Sequence, residues 1–488
     1  MSEETPGNTG ETTVSPVDTP ALAPIVESKR IDAMDILRGF ALLGILFMNV
    51  EWFGRPIAEI GTFDETLTGA DHAVGWLVRA LIEGKFYKMF ALLFGMGFAV
   101  MLIRARDVGR PFGWWFTRRM VVLFLIGMLH MIFIWPGDIL HDYAFAGLVL
   151  LGLILIFQTN RLKKYDQPST YLRIGLVWLS FPIVASTVAA IVFAVQYDPS
   201  KFADYWEEEQ QVFTMVEERL ALPAEETGDD QSADDDDAED DEERELTPEE
   251  ERQEKVDSIV ESRRETEENG RQEVDAYTQP SYWGATSYRF GDAFFRLSFT
   301  PIFTFIILMP IYLLGYWMVA SGVLRNHVEN RHIFKPMAWI GSLFGLFFTV
   351  GSLLVIQHPV AEQSQVFLAA GNTMFYLGQY VLCAGYVGMI VLLIGDPKWQ
   401  ARFHLLAPMG RMALTNYIMQ TAILSILFHG YGFGLWAQVS RAPQMLLVVV
   451  ILLFQAVLSS WWLKRFRFGP LEWAWRSATY MSLQPMRI

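Results

Sequence analysis

The chain has 488 residues, 52% of them hydrophobic and 14% aromatic, and its long apolar runs with sparse charge exclude an ordinary soluble domain in favour of a multi-spanning membrane protein. A single cysteine, Cys383, excludes an internal disulfide and a thiolate zinc cluster. The net charge of −16 is uneven: Lys201–Asp275 holds 31 acidic and 8 basic residues, leaving 23 acidic and 30 basic elsewhere, so a mildly basic body is interrupted by one acidic segment.

Residues 1–30 are rich in Pro, Thr, Ser and Glu and lack the basic start and short apolar core of a cleavable signal peptide. They read as a disordered cytoplasmic tail. Ten runs then approach the roughly 20 apolar residues that a membrane-crossing helix requires: about 36–53, 86–103, 119–135, 137–157, 171–195, 301–322, 335–356, 372–394, 411–430 and 442–463. "WLVRALIEG" ahead of the short second run reads as an interfacial helix, and "WPGD" makes spans three and four a tight hairpin. The expected fold is an all-α polytopic membrane helix bundle. It has a five-span half over 31–195, an acidic loop over 196–300, a second five-span half over 301–463 and an interfacial tail over 464–488.

Lys and Arg recur at every second short loop: Lys29 and Arg30, then Arg104 to Arg119, Arg161 to Lys164, Arg325 to Lys335, Lys398 and Arg402, and Lys464 to Arg467. This alternation predicts cytoplasmic N and C termini and puts the 196–300 loop outside. Within that loop "GDDQSADDDDAEDDEERE" reads as a disordered acidic run. Thr247, Pro248 and Glu250 after it form a capping-box start for a solvated charged helix.

An ionisable or amide side chain at membrane depth costs several kcal/mol unless it is paired or wetted, so each such residue is a functional candidate. At 100° per residue, Asp35, Arg38 and Asn49 of the first span share one helix face. Either Asp35 caps the helix and pairs with Arg38 while Asn49 bonds a neighbour, or the face lines a polar cavity in which Arg38 holds a phosphate or carboxylate. His130 falls near mid-membrane in span three and is either a satisfied packing histidine or a general base. Asp138 in "WPGDIL" is an N-cap, or else it orients a histidine, and His141 and Asp142 add polarity to this mouth. His72, beside Asp71, sits in the loop after span one. Span nine supplies Arg411, Asn416, Tyr417 and Gln420; Asn416 and Gln420 form an amide ridge that either glues helices or binds ligand. In "FRFGPLEWAWRS", Glu472 and Arg476 are four apart on an interfacial helix. The sequence has no Walker loop, GxGxxG, HExxH or GxSxG, and neither a metal nor a nucleic-acid partner is expected.

"DILRGFALLGILFMNV", "GKFYKMFALLFGMGFA", "IGMLHMIFIWPGDIL", "GRMALTNYIMQ" and "FGPLEWAWR" occur in that order between residues 35 and 476. In these segments the chain resembles the bacterial YeiB-like family of integral membrane proteins, whose C-terminal half is known as a domain of unknown function. More distantly, through Asp35, Arg38 and Gly39 of a "D-x-x-RG" opening, it is similar to membrane acyltransferases that include heparan-α-glucosaminide N-acetyltransferase. The resemblance implies a multi-pass protein of the bacterial cytoplasmic membrane that moves an acyl group from acyl-CoA to an envelope or small-molecule acceptor. On that reading Arg38, with Asp35, Asn49 and the basic 104–119 loop, receives the CoA. His130 or His72 is the base, Asp138 orients it, and Asn49 or Asn416 stabilises the oxyanion. Arg411, Asn416, Tyr417 and Gln420 meet the acceptor. The alternatives are a transporter or efflux component without covalent chemistry, and a structural protein that recruits partners through its acidic loop. Membrane lipids are partners in every case.

Overall fold

The computed structural model describes residues 31–56, 68–196, 202–222, 247–359, 361 and 365–488. The N-terminal tail and the core of the acidic run, both read above as disordered, lie outside the described residues.

Every described element is helical, apart from an isolated bridge between Phe466 and Arg487. The helices are α1 Asp32–Asn49, α2 Gly69–Leu77, α3 Phe86–Asp107, α4 Gly113–Phe133, α5 Leu140–Phe157, α6 Pro168–Gln196, α7 Phe202–Ala221, α8 Pro248–Thr278 and α9 Tyr282–Phe303, followed by α10 Met309–Ala320, α11 Arg331–Ile356, α12 Gln365–Ile394, α13 Pro397–Phe403, α14 Ala407–Arg411, α15 Ala413–Phe428, α16 Arg441–Leu463 and α17 Pro470–Tyr480. Among the described residues, eight helical stretches are long and apolar enough to cross a membrane. The other two predicted runs fall on α6 and on the shorter apolar α15.

Burial separates a centre from a rim. In α1, 67% of the most apolar window is buried inside the protein, against 28% for α11 and α16. Leu343 and Phe347 of α11 and Leu453 and Val457 of α16 stand exposed as a lipid-facing surface does. The core joins α1, α3, α5, α10 and α15. Small residues let the central backbones touch: a Cβ on Gly95 would strike the Tyr312 carbonyl, and one on Gly315 would strike that of Leu92. Between the chain's two halves, a Cβ on Gly39 of α1 would strike the Leu406 carbonyl, and one on Gly410 of α14 that of Asp35.

Two features depart from the sequence expectation. The helix assigned to span six begins at Tyr282, not 301, and runs through a π-helical turn at Thr304–Leu308 to Ala320. Ser281 caps it by accepting from the Gly284 amide. Asp292 and Arg296, which break the hydropathy run, pair with each other one turn apart. The 196–300 segment also contains α7, absent from the sequence reading, which packs on α8 through Val212, Val216, Val256 and Val260. The capping box forms as expected, with the Thr247 hydroxyl accepting from the Glu250 amide and the Glu250 carboxylate accepting from the Thr247 amide. The far end of α8 is tied to the bundle: Gly430 N donates to the Tyr277 carbonyl, and the Tyr277 ring stacks on His429 at 4.5 Å.

Candidate functional site

Two cavities lie along α1, one towards each end. The first, about 290 Å³, is lined by Asp35 and Arg38 of α1, Arg104 at the end of α3, Arg119 of α4, Arg411 of α14, and Arg467, Glu472 and Arg476 of the C-terminal tail. Six arginines against two carboxylates give it a strongly positive field inside an otherwise aromatic and aliphatic wall. Arg38 Nη1 donates to Asp35 Oδ1 at 2.8 Å. The Arg119 guanidinium lies over the Trp475 ring, 3.6 Å from its centroid, and Trp475 Nε1 donates to the Arg119 carbonyl at 2.8 Å.

Glu472 does more than the i,i+4 spacing suggested. Its Oε1 accepts from the amides of Leu414 and Thr415 at 2.7 and 3.0 Å, and its Oε2 from the Thr415 hydroxyl at 2.5 Å. The chain breaks helical geometry at Met412, so α15 begins with unsatisfied amides, and Glu472 caps them from 57 residues away. Glu472 lies outside the spanning helices. Burial pushes its carboxyl above the ordinary value, against the opposing hydrogen bonds from Thr415 and Leu414.

The second cavity, about 550 Å³, is lined by Asn49 and Trp52 after α1, by the Trp135–Ile139 turn, by His141 and Asp142 at the start of α5, and by one face of α9. Asp138 is its structural pivot. Oδ2 lies 2.7 Å from His130 Nδ1, and Oδ1 accepts from the His141 amide at 3.1 Å and lies 3.0 Å from His141 Nδ1. His141 Nε2 is 3.4 Å from Asp142 Oδ1. The other ring nitrogen of His130 is 2.7 Å from Thr421 Oγ1, so Asp138, His130 and Thr421 form a carboxylate–imidazole–hydroxyl relay. His130 and Thr421 are fully packed and line neither cavity. Asn49 lines the same cavity, and its amide nitrogen is buried without a hydrogen-bond partner. Ile45, Ile139 and Tyr417 line both cavities and form the septum between them.

The candidates read from the sequence therefore divide. Asp35, Arg38, Arg411 and Tyr417 meet at the arginine-lined cavity, whereas Asn49, Asp138 and again Tyr417 meet at the other. Arg38 and Asn49 share a helix face but not a chamber. Asn416 and Gln420 lie outside both: Asn416 Nδ2 donates to Met409 O and Ser459 Oγ, and Gln420 Nε2 to Gln455 Oε1, joining α15 to α16. His72 is exposed on α2, while its neighbour Asp71 caps α16 through the Ala442 amide at 2.7 Å. Sequence reasoning reached Arg119 only as the end of the basic 104–119 loop and did not single out Thr421 or Lys88. Lys88 is buried, with Nζ donating to Gly84 O, Tyr87 Oη and Gln379 Oε1; its one signal was a second lysine within "GKFYKMF" at a span's start. Among the described residues, no cluster of three His, Cys, Asp or Glu side chains has a metal-holding arrangement.

The crossing helices, the central core and two polar chambers inside it define a multi-pass helical membrane protein. Residues 318–482 match the family described as "Protein of unknown function (DUF418)". It is a distant homologue, over nearly its full length, of uncharacterized YxaH of Bacillus subtilis (27% identity, 96% of this chain, 98% of that protein) and of uncharacterized YeiB of Escherichia coli (25% identity, 93% and 97%). An uncharacterized 39.9 kDa protein in the amylase 3' region of Bacillus acidopullulyticus is 26% identical over 94% of this chain and 96% of its own length. No solved structure matches the chain.

Proposed function

We propose that the protein is an acyl-CoA-dependent transmembrane acyltransferase of the bacterial cytoplasmic membrane, with the arginine-lined cavity on the cytoplasmic side. The observation that carries this reading is an arginine-lined chamber and a chamber bearing His141, Asp138 and Asp142 that share Ile45, Ile139 and Tyr417 as common wall. A polyanionic donor suits six arginines interleaved with Trp115, Trp475 and Tyr480, which offer bidentate phosphate contacts and aromatic faces for a base. An acceptor awaiting deprotonation suits a chamber holding His141, Asp142 and Asp138.

In the step, the acceptor oxygen or nitrogen attacks the thioester carbonyl carbon. The new C–O or C–N bond forms, the C–S bond breaks, the acceptor's proton passes to His141, and the CoA thiolate leaves and is reprotonated. His141 takes the base's role in preference to His130 or His72 because it is the histidine that lines the chamber. Asp138 fixes its ring through Nδ1, leaving Nε2 to receive the proton, and His130 with Thr421 braces the far side of Asp138. The free Asn49 amide is placed to donate to the developing oxyanion.

Purified protein tests this directly. Acetyl-CoA is expected to raise its melting temperature, and Arg38→Ala to abolish most of that rise. If acetyl-CoA neither stabilises the protein nor is consumed, the reading fails. A transporter is the second reading, favoured by the interrupted helices at Val78–Ile82, Thr304–Leu308 and Met412. Gradient-driven flux in proteoliposomes without acyl-CoA would establish it instead.

A further inference from the structure

The carboxylate-lined cavity is walled on one side by α9, part of a helical stretch apolar and long enough to cross the membrane. Asp292, Phe295, Arg296, Phe299, Thr300 and Phe303 line it at spacings of three and four, so they form one face of that helix. This face resolves into two parallel ladders, each stepping by four. Asp292, Arg296 and Thr300 form a polar one, and Phe295, Phe299 and Phe303 an aromatic one. The aromatic ladder belongs to a cavity open to the surroundings: Phe295 and Phe299 line it and are 65% and 49% exposed. They adjoin Phe294 and Ile302, which are exposed and do not line the cavity. The chamber is thus continuous with the lipid-facing surface through α9, and its polar floor lies at the inner end of that route.

From this we infer that the acceptor is a membrane amphiphile, a long apolar chain ending in a hydroxyl, which enters the cavity sideways from the lipid along α9. Its chain would rest on the phenylalanine ladder while its head follows Asp292, Arg296 and Thr300 inward to His141 and Asp142. A wall of this kind lets a polar head move without crossing bare hydrocarbon, where each unsatisfied polar group costs several kcal/mol. The floor favours a hydroxyl over an amine. A long-chain amine is protonated near neutral pH, which blocks its lone pair. A neutral hydroxyl can instead donate to His141 and keep a lone pair for attack. Its oxygen would form the new C–O bond as the thioester C–S bond breaks, with the hydroxyl proton going to His141 and the thiolate leaving as CoA.

The inference rests on the acyl-transfer reading for its chemical step, but not for binding, and the two can fail separately. The probe is a diazirine-bearing hexadecanol, photolysed with the full-length protein in phosphatidylcholine nanodiscs. Label is expected on the peptide carrying Phe299 to Phe303, displaced by unlabelled hexadecanol but not by hexadecane. Thr300→Phe, which fills the cavity, should cut that label about tenfold, the size expected for about 1.4 kcal/mol of lost binding, and Phe294→Ala should leave it unchanged. Acetyl-CoA stabilisation of Thr300→Phe, read at the other cavity, shows whether that variant is folded. Label spread equally over Phe294 and Phe299, or displaced equally by hexadecane, means bulk lipid only and overturns the proposal. Specific label with no response to acetyl-CoA would leave the lateral site standing and sink the transferase reading.

Discussion

His141 holds its Nδ1 3.0 Å from Asp138 Oδ1 and lines the cavity, whereas His130, 2.7 Å from the other oxygen of the same carboxylate, does not. Two histidines one carboxylate apart thereby have different prospects. His141→Ala should lower kcat for acyl transfer by about 10²–10⁴-fold, the usual worth of a positioned base, with acetyl-CoA binding intact. His130→Ala leaves Asp138 and Thr421 buried with one partner fewer. Its first effect should be a stability loss of about 1–3 kcal/mol, seen as a lower melting temperature without ligand.

Arg119 is held over Trp475 and Arg38 against Asp35, so both cations are fixed in place in the wall of their cavity. Replacing either with Ala should weaken acetyl-CoA binding about tenfold, which corresponds to about 1.4 kcal/mol. Isothermal titration at two salt concentrations checks this. Loss of affinity confined to dephospho or uncharged analogues would contradict it.

Glu472 gives a pH dependence whose sign follows from its burial. The folded state keeps this proton to a higher pH than the unfolded chain does, so its contribution is full below the ordinary glutamate value and is lost as pH rises through the raised folded value. The melting temperature should therefore decline across the mildly acidic range, and Glu472→Gln should flatten that part of the curve. Glu472→Ala leaves the Leu414 and Thr415 amides uncapped and should cost about 1 kcal/mol at any pH.

Gly39 and Gly410 should tolerate no side chain, since a Cβ on either meets backbone carbonyl. Ala at each is expected to cost about 1–3 kcal/mol through forced backbone shifts, and the double variant less than the sum because both press on one contact. Gly113→Ala, with open space around it, is the matched control. Equal melting temperatures for all three variants would refute the interlock.

The helices were legible because apolar runs of membrane length have few other uses. All of α9 before residue 301 escaped, because Asp292 and Arg296 look like loop residues until their mutual pairing is known. Helical angle placed Asp35, Arg38 and Asn49 on one face, but angle carries no information about how many chambers a face passes. Asn49 shares a chamber with Asp138, which holds His130, and Arg38 does not. His141 was visible only as local polarity. Its access to the cavity depends on the turn that aims Asp138 at the His141 amide. The capping role of Glu472 had no local signal, because its partners Leu414 and Thr415 are 57 or more residues distant.

The contact of Gly39 with the Leu406 carbonyl, and of Gly410 with that of Asp35, has a consequence for biogenesis. Arg38 is made well before the rest of its chamber, which gains Arg411 only when the second half docks, and Arg467, Glu472 and Arg476 only with α17 and the residues just before it. A nascent chain can therefore insert most of its helices while its arginine-lined chamber still lacks a wall. The six-arginine lining is complete only once residues 411–476 have closed on α1.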